Sequence, residues 1–440
     1  MRNKLVIIGL LIVAGACGDR ESYKPRVQNP ELLHRSLKKI TDIIVHDIFS
    51  PPQASRIYAY TSIAAYEVSI HGDHRFTSLA GQLNGLEKVP QPDPEKEYAF
   101  TVAAVQATLK VGRALIFSED KLDEFHDLIM KEVADSGIPA DVLERSVAYG
   151  DQVADHILKW SSTDNYKQSR SFPKYTILSD PGTWKPTPPG YMDAVEPHWN
   201  EIRPFALDSA AQFKPVPPAP FSRDKNSEFY KLAAEVYQVG KNLTDEQKAI
   251  ANFWDCNPYI MNVKGHVMFA NKKISPGGHW MNITSVILRK ANKNFVESAE
   301  AYTRVAVSLV DGFISCWDEK YRSKLIRPET YINQYIDENW IPLLQTPPFP
   351  EYTSGHSVIS NAAATALTGI FGDNFSFTDS TEVEYGMTAR SFPSFLAAGD
   401  EASVSRLYGG IHYRPALDIG LQQGRSLGRF IQEKLKTRQQ

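Results

Sequence analysis

Window after window of this chain repeats its apolar residues at helical spacing, and few stretches alternate with period two. Leu33, Leu37, Ile40, Ile44 and Ile48 recur three or four residues apart, which places them on one helical face. Similar windows cover 52–70, 95–116, 118–137 and 139–160, and then 226–243, 244–256, 275–292, 294–326, 354–372 and 414–435. Start signals precede several of them: Asn29-Pro30, Ser118-Glu119-Asp120, Pro139-Ala140-Asp141, and Thr244 with Glu246 and Gln247 nearby. The small residues of ISNAAATALTG suit close helix packing in a bundle interior. The reading is an all-α protein without a substantial sheet.

Between Ser171 and Asp224 the helical pattern stops. Eleven prolines fall in that span and exclude long helices there. Trp184, Tyr191, Trp199, Phe205 and Phe213 are interleaved with them, and disordered linkers are poor in aromatics. An ordered segment wrapped over the helical body is therefore expected. The chain divides into a helical half at 29–170, this connecting segment at 171–224, and a second helical bundle at 225–438.

The N-terminus reads as a secretory signal over 1–17. MRNK is basic, LVIIGLLIVAGA is apolar, and Ala14, Gly15 and Ala16 precede Cys17. The apolar run of 12 residues is short for a membrane span. Small residues directly before a cysteine resemble a bacterial lipobox, which implies a lipid on Cys17 and a periplasmic or cell-surface location, with simple secretion as the alternative. Residues 18–28 read as a polar tether. The remaining cysteines, Cys256 and Cys316, lie in apolar-rich helical windows and read as buried free thiols. A net charge of −3 gives no bulk field for nucleic acid, so any anion site must be built locally.

Three segments carry the chemistry. In WDEKYRSKLIRPETY, Lys320 and Arg327 are seven residues apart, two turns along one helical face, with Trp317 three residues before the lysine. In PFPEYTSGHS, Ser354 can cap the following helix, Gly355 lets an anion approach free N–H groups, and His356 is placed to exchange a proton. In SRLYGGIHYRP, Arg406 offers a planar fork for an oxyanion and His412 a second imidazole. Each segment alone is weak: a solvated basic face, a capped helix and an ordinary loop are the plain alternatives.

Taken together, K-x6-R-P, S-G-H and S-R-x5-H in this order resemble the superfamily of vanadium-dependent haloperoxidases and type 2 phosphatidic acid phosphatases. The resemblance is specific between Trp317 and Asp418. It implies a helical bundle of the vanadium haloperoxidase and acid phosphatase type, and a site for vanadate that phosphate can also occupy. On these positions Lys320, Arg327 and Arg406 would hold the equatorial oxygens, with Ser354 and Gly355 adding hydrogen bonds. His412 would be the axial ligand of the metal, or the phosphoryl-accepting nucleophile of a phosphatase. His356 would be the acid–base partner. Three cations at a helix N-terminus would compensate a multiply charged oxyanion.

The surroundings favour the peroxidase branch. Trp317 three before Lys320, and Phe349 five before Ser354, resemble the haloperoxidase blocks and suggest an aromatic halide side, with Tyr259 as a further member. The layout looks most like the bacterial iodoperoxidases, which implies iodide and hydrogen peroxide as substrates, hypohalous acid as product and a small organic acceptor. Hydrolysis of phosphomonoesters or lipid phosphates through a phosphohistidine is the alternative, and an oxyanion-binding surface lipoprotein without turnover is a third reading. Two positions depart from the family pattern. Thr353 stands where a proline is usual and is expected to take extended geometry. Ala416 stands where an acid usually follows the axial histidine by four residues, so the tautomer of His412 would be fixed by Asp418 or by something such as a backbone carbonyl. Asp255, which could pair with Lys320 or His356, and His279 are further supporting candidates, but for both, as for Tyr259, a satisfied structural role is the favoured reading. His198, Trp199 and Arg203 read as packing rather than as a cover over the site.

Overall fold

The computed structural model describes residues 22–264, 267–270 and 272–439. The signal segment and Cys17 lie outside the described residues. Seven helices precede the proline-rich segment: α1 (Lys24–Val27), α2 (Glu31–His46), α3 (Pro51–Ser69), α4 (Phe100–Leu115), α5 (Glu119–Ala134), α6 (Ala140–Ser161) and α7 (Tyr166–Ser169). Eight follow it: α8 (Glu228–Lys241), α9 (Asp245–Phe253), α10 (Pro276–Lys290), α11 (Phe295–Ser323), α12 (Pro328–Tyr335), α13 (Gly355–Phe371), α14 (Phe395–Tyr408) and α15 (Arg414–Lys434). Two small antiparallel hairpins complete the described elements: β1 (Met261–Lys264) with β2 (Val267–Ala270), and β3 (Phe377–Asp379) with β4 (Arg390–Phe392).

Local chemistry sets the helix starts. The hydroxyl of Ser50 accepts from the Gln53 N–H, with Pro51 in the first turn of α3. Thr244 with Gln247, and Asn294 with Glu297, form reciprocal capping boxes on α9 and α11. Ser118 does not cap α5; its hydroxyl donates to Asp47 instead. The expected helix at 95–116 begins only at Phe100, because Asp93 accepts the Glu95 N–H in a turn and the Ala99 N–H donates to Ser146. The tether also ends early, since Tyr23 and Val27 are buried and Tyr23 donates to Glu97.

α11 is 29 residues long and buried along most of its length. α3, also buried almost throughout, packs against it. One apolar cluster therefore joins the helices before and after the proline-rich segment, and the two helical blocks share a core. The segment itself is ordered, as expected. Its own Trp184, Trp199 and Phe205 are fully buried. Asp311 of α11 anchors it by accepting from the N–H groups of Phe205, Ala206 and Leu207 at 2.7, 2.6 and 2.9 Å. Burial pushes that carboxyl up to about 6, and the three N–H groups oppose the rise.

α13 packs on α15 through small residues of both helices. Gly420, Gly424 and Gly428 form a stripe on α15, and a Cβ on Gly424 would lie 2.2 Å from the Val358 carbonyl oxygen of α13. A Cβ on Gly420 would lie 3.0 Å from that of Ser357. This close approach locks the start of α13 against the start of α15. Replacing Gly424 by Ala should cost about 2–3 kcal/mol through forced separation of the backbones. Urea unfolding monitored by circular dichroism measures it, and an unshifted midpoint would contradict the lock.

Candidate active site

Four helices and the loops beside them bring the expected site together. α11 delivers Trp317 and Lys320 and ends at Lys324, which has a left-handed φ of 52°. Arg327 is therefore not on the helical face of Lys320, as its seven-residue spacing suggested. It is an extended residue capping α12, and a chain reversal aims it back at the same point. Ser354 caps α13, its hydroxyl accepting from the Ser357 N–H at 3.3 Å, and its own N–H donates to the Ala416 carbonyl at 3.0 Å. α14 carries Arg406, and the loop after it carries His412.

The three cations are buried and held chiefly by main-chain carbonyls. Lys320 Nζ donates to the carbonyls of Pro350, Glu351 and Thr353 at 3.0, 3.0 and 2.5 Å. Its three N–H bonds thus tie down the loop before Ser354. Arg327 donates from Nε to Phe349 O at 2.9 Å and from Nη1 to Ile411 O at 2.8 Å. Arg406 donates from Nη1 to Trp254 O at 2.7 Å. Carbonyls orient a cation without cancelling its charge. Arg327 Nη2, Arg406 Nε, His356 Nε2 and Ser357 Oγ remain buried without partners. Orphaned buried donors beside uncompensated guanidinium groups fit an oxyanion.

Burial pulls Lys320 down to about 7, helped by Arg327 and opposed by Cys316 and Glu351. Burial also lowers Arg327 to about 10, with Glu351 opposing. Burial and the flanking cations Arg327, Lys320 and Arg406 hold His412 well below the ordinary histidine range. It is a neutral imidazole, and its tautomer is set by a group that the spacing did not reveal. His412 Nδ1 lies 2.8 Å from Glu351 Oε1, and the same oxygen accepts the Tyr413 N–H at 2.9 Å. With its proton at Nδ1, His412 presents a bare Nε2, which accepts from Arg327 Nη1 at 3.1 Å. Glu351 thus supplies, from the loop before α13, the carboxylate that Ala416 lacks on α15. Asp418 does not reach the site; it is exposed, on the far side of α15 from buried Ala416.

Thr353 is buried at the end of the loop before Ser354. Its peptide with Tyr352 is cis, and its hydroxyl donates to Gln423, which in turn donates to Ser315. Asp255 pairs with Lys273 at 2.8 Å and approaches Arg406 at 4.0 Å, so it serves Arg406 rather than Lys320 or His356. His279 lies off the pocket between Asp379 and Glu382, stacked on Trp254. His198 binds the Pro173 carbonyl and Arg203 binds Thr163, so neither covers the site.

A narrow cavity of ≈30 Å³ opens beside the cradle, walled by Tyr259, Phe313, Trp317, Phe349, Gly355, His356, Arg406 and His412. The expected halide-side aromatics are together: Trp317 and Phe349 lie 4.9 Å apart. Lys320 and Arg327 each sit 5.1 Å from the Phe349 ring centre, so that ring also shields two cations. Trp317 Nε1 donates to Val195 O, which brings the proline-rich segment to the rim. His356 is pushed well below its ordinary range by burial and then by Arg406, and its Nε2 is available to take a proton.

A family model described as the VCPO second helical-bundle domain matches residues 300–440. Among solved structures, the chain is similar to a bacterial vanadium-dependent iodoperoxidase, at 53% identity and a TM-score of 0.89, covering 94% of this chain and 98% of that one. It shares its fold with the holo form of a bacterial vanadium-dependent chloroperoxidase, at 17% identity and a TM-score of 0.68, covering 88% of this chain and 93% of that one. No curated protein matches.

The Glu351–His412 pair makes a prediction. Burial pushes Glu351 up to about 7, with Arg327 and Lys320 opposing. The carboxylate that accepts the Nδ1 proton is therefore present above that pH and lost below it. Lys320 gains its proton over the same range and opposes the loss, so the Glu351 contribution to orthovanadate affinity, an acid limb near pH 7, is read as the difference between the native chain and Glu351→Gln. In Glu351→Gln that affinity should be about 10-fold weaker and lose the acid limb. Isothermal titration across pH measures both, and a Gln variant with the native pH profile would remove Glu351 from this role.

Proposed function

The chain belongs to the vanadium-dependent haloperoxidases, and on that premise we propose that it oxidises iodide with hydrogen peroxide to hypoiodous acid. The carrying observation is the pair of buried, unpartnered donors on Arg327 and Arg406 beside the unpartnered, proton-accepting Nε2 of His356, facing an aromatic-walled cavity. Arg327 and Arg406 would hold vanadate oxygens through Nη2 and Nε, with Ser354 and the Gly355 N–H at the start of α13. His412 would ligate the metal through Nε2, the nitrogen left bare by the bond to Glu351. Bound vanadate supplies a Lewis-acid centre that activates peroxide without a change of its own oxidation state. His356 takes the peroxide proton at Nε2, and its depressed basicity lets it return that proton readily. Lys320 adds positive charge at the loop before α13, and one of its carbonyl bonds can be exchanged for an oxyanion contact.

The halide would enter along Trp317, Phe349 and Tyr259. The cavity is narrow and aromatic-walled, and we place the meeting of an organic acceptor with the hypohalous acid outside it. The phosphatase alternative is not favoured, since the chain's likeness is to peroxidases. The basic, apolar and small-residue order before Cys17 supports export with a lipid anchor.

The apoprotein reconstituted with orthovanadate should oxidise iodide with peroxide, read as triiodide absorbance, and bromide more slowly or not at all. Absence of vanadate-dependent turnover with every halide would end this reading. Arg406→Ala should weaken orthovanadate binding about 100-fold, as expected for loss of a buried charge-assisted donor. Unchanged affinity would place the cradle elsewhere.

A further inference from the structure

A second cluster of metal-binding groups lies beside the cradle; Cys256 also lines the active-site cavity, while His279 and Glu382 lie behind it. Cys256 follows α9, His279 lies in the first turns of α10, and Glu382 follows β3. Cys256 Sγ is 3.3 Å from His279 Nδ1 and 3.9 Å from Glu382 Oε1. His279 Nδ1 is 3.1 Å from Glu382 Oε1. All three side chains are buried, and they come from three separate parts of the chain.

These separations have metric content. A single point lies about 2.0 Å from all three atoms, and moving it out of their plane lengthens this towards about 2.2 Å; Zn–N and Zn–O bonds run about 2.0–2.2 Å and Zn–S about 2.3 Å. The far nitrogen of the same histidine, Nε2, is 2.7 Å from Asp379 Oδ2, and the other Asp379 oxygen accepts the Thr381 N–H at 2.9 Å. A carboxylate behind a ligating histidine, itself hydrogen-bonded, is the arrangement that orients imidazole towards a metal and raises its basicity. Thiolate and imidazole together select a borderline ion over Mg²⁺ or Ca²⁺, which prefer all-oxygen sets.

We propose that Cys256, His279 and Glu382 form a site for a divalent ion of the Zn²⁺ type, oriented from behind by Asp379. On binding, Cys256 gives up its thiol proton and His279 its Nδ1 proton, and the fourth tetrahedral position takes water. The ion's function is positional. Trp254 stacks on His279 at 4.7 Å, and the Trp254 carbonyl is the acceptor that holds Arg406. Tying Cys256 to α10 and to the β3 loop therefore fixes the segment on which one guanidinium of the cradle rests. Without an ion, the same groups form a buried ion pair in which a protonated His279 bridges two carboxylates.

Metal uptake by the full chain separates the two. The protein is incubated with excess ZnSO₄, desalted, and its metal measured by mass spectrometry; a parallel sample is loaded with Co²⁺. Expected are about one zinc per chain, a cysteine-to-cobalt charge-transfer band in the near ultraviolet, and a thermal midpoint that rises with zinc and saturates at one equivalent. Cys256→Ser should lose the cobalt band and most of the zinc. Zinc below about a tenth of an ion per chain in the native protein would overturn the proposal in favour of the bare ion pair. Equal zinc in Cys256→Ser, or a native cobalt complex lacking the sulfur band, would overturn it by placing the ion elsewhere. The cobalt band of the native chain decides even if the variant does not fold.

Discussion

Three cations are buried around one point and fastened mainly by main-chain carbonyls. Lys320 holds Pro350, Glu351 and Thr353; Arg327 holds Phe349 and Ile411; Arg406 holds Trp254. Asp255 stands 4.0 Å from Arg406 and Glu351 is engaged with His412, so the nearby acids offset the three cations only in part. Carbonyl dipoles give direction while leaving net positive charge, and that charge is stable only because the bundle around it is rigid. Much of the architecture serves this constraint. The reversal after Lys324 aims Arg327, and the proline-rich segment braces Trp317 through Val195.

The glycine stripe of α15 is the second requirement. Ser354 starts α13, and His412 lies just before α15. Their relation is fixed by how closely those helices approach. Gly420 and Gly424 bring the α15 backbone within a carbonyl's reach of α13, and the Ser354 N–H to Ala416 O bond closes the junction. A larger residue in the stripe would leave every catalytic side chain intact and still pull the two histidines apart.

Glu351 shows how a site can conserve a charge while moving its source. A residue four after His412 falls in the first turn of α15 and is easily sought by spacing. Glu351 lies 61 residues earlier, in a loop whose course is set by Lys320. The same loop therefore carries the carboxylate, the aromatic wall at Phe349 and the cap of α13, all held by one ammonium group.

Much was legible in the linear order. The helices, the capping signals at Thr244 and Ser354, the ordered proline-rich wrap and the three-part anion motif rest on interactions within a few residues, which spacing encodes directly. Spacing failed where contacts are long-range. Lys320 and Arg327 looked like one helical face because nothing local announces the left-handed turn at Lys324. Asp418 looked like a substitute acid because its burial depends on which face of α15 meets α13. Asp255 found Lys273 and Arg406, and His279 found Asp379 and Glu382, through approaches that only the packed bundle creates. The sequence by itself determined which groups are the candidates for an oxyanion site, since motif order survives any folding detail. Tertiary structure decided which carboxylate sets the tautomer of His412 and which donors are left free, because both depend on close packing between segments far apart in the chain.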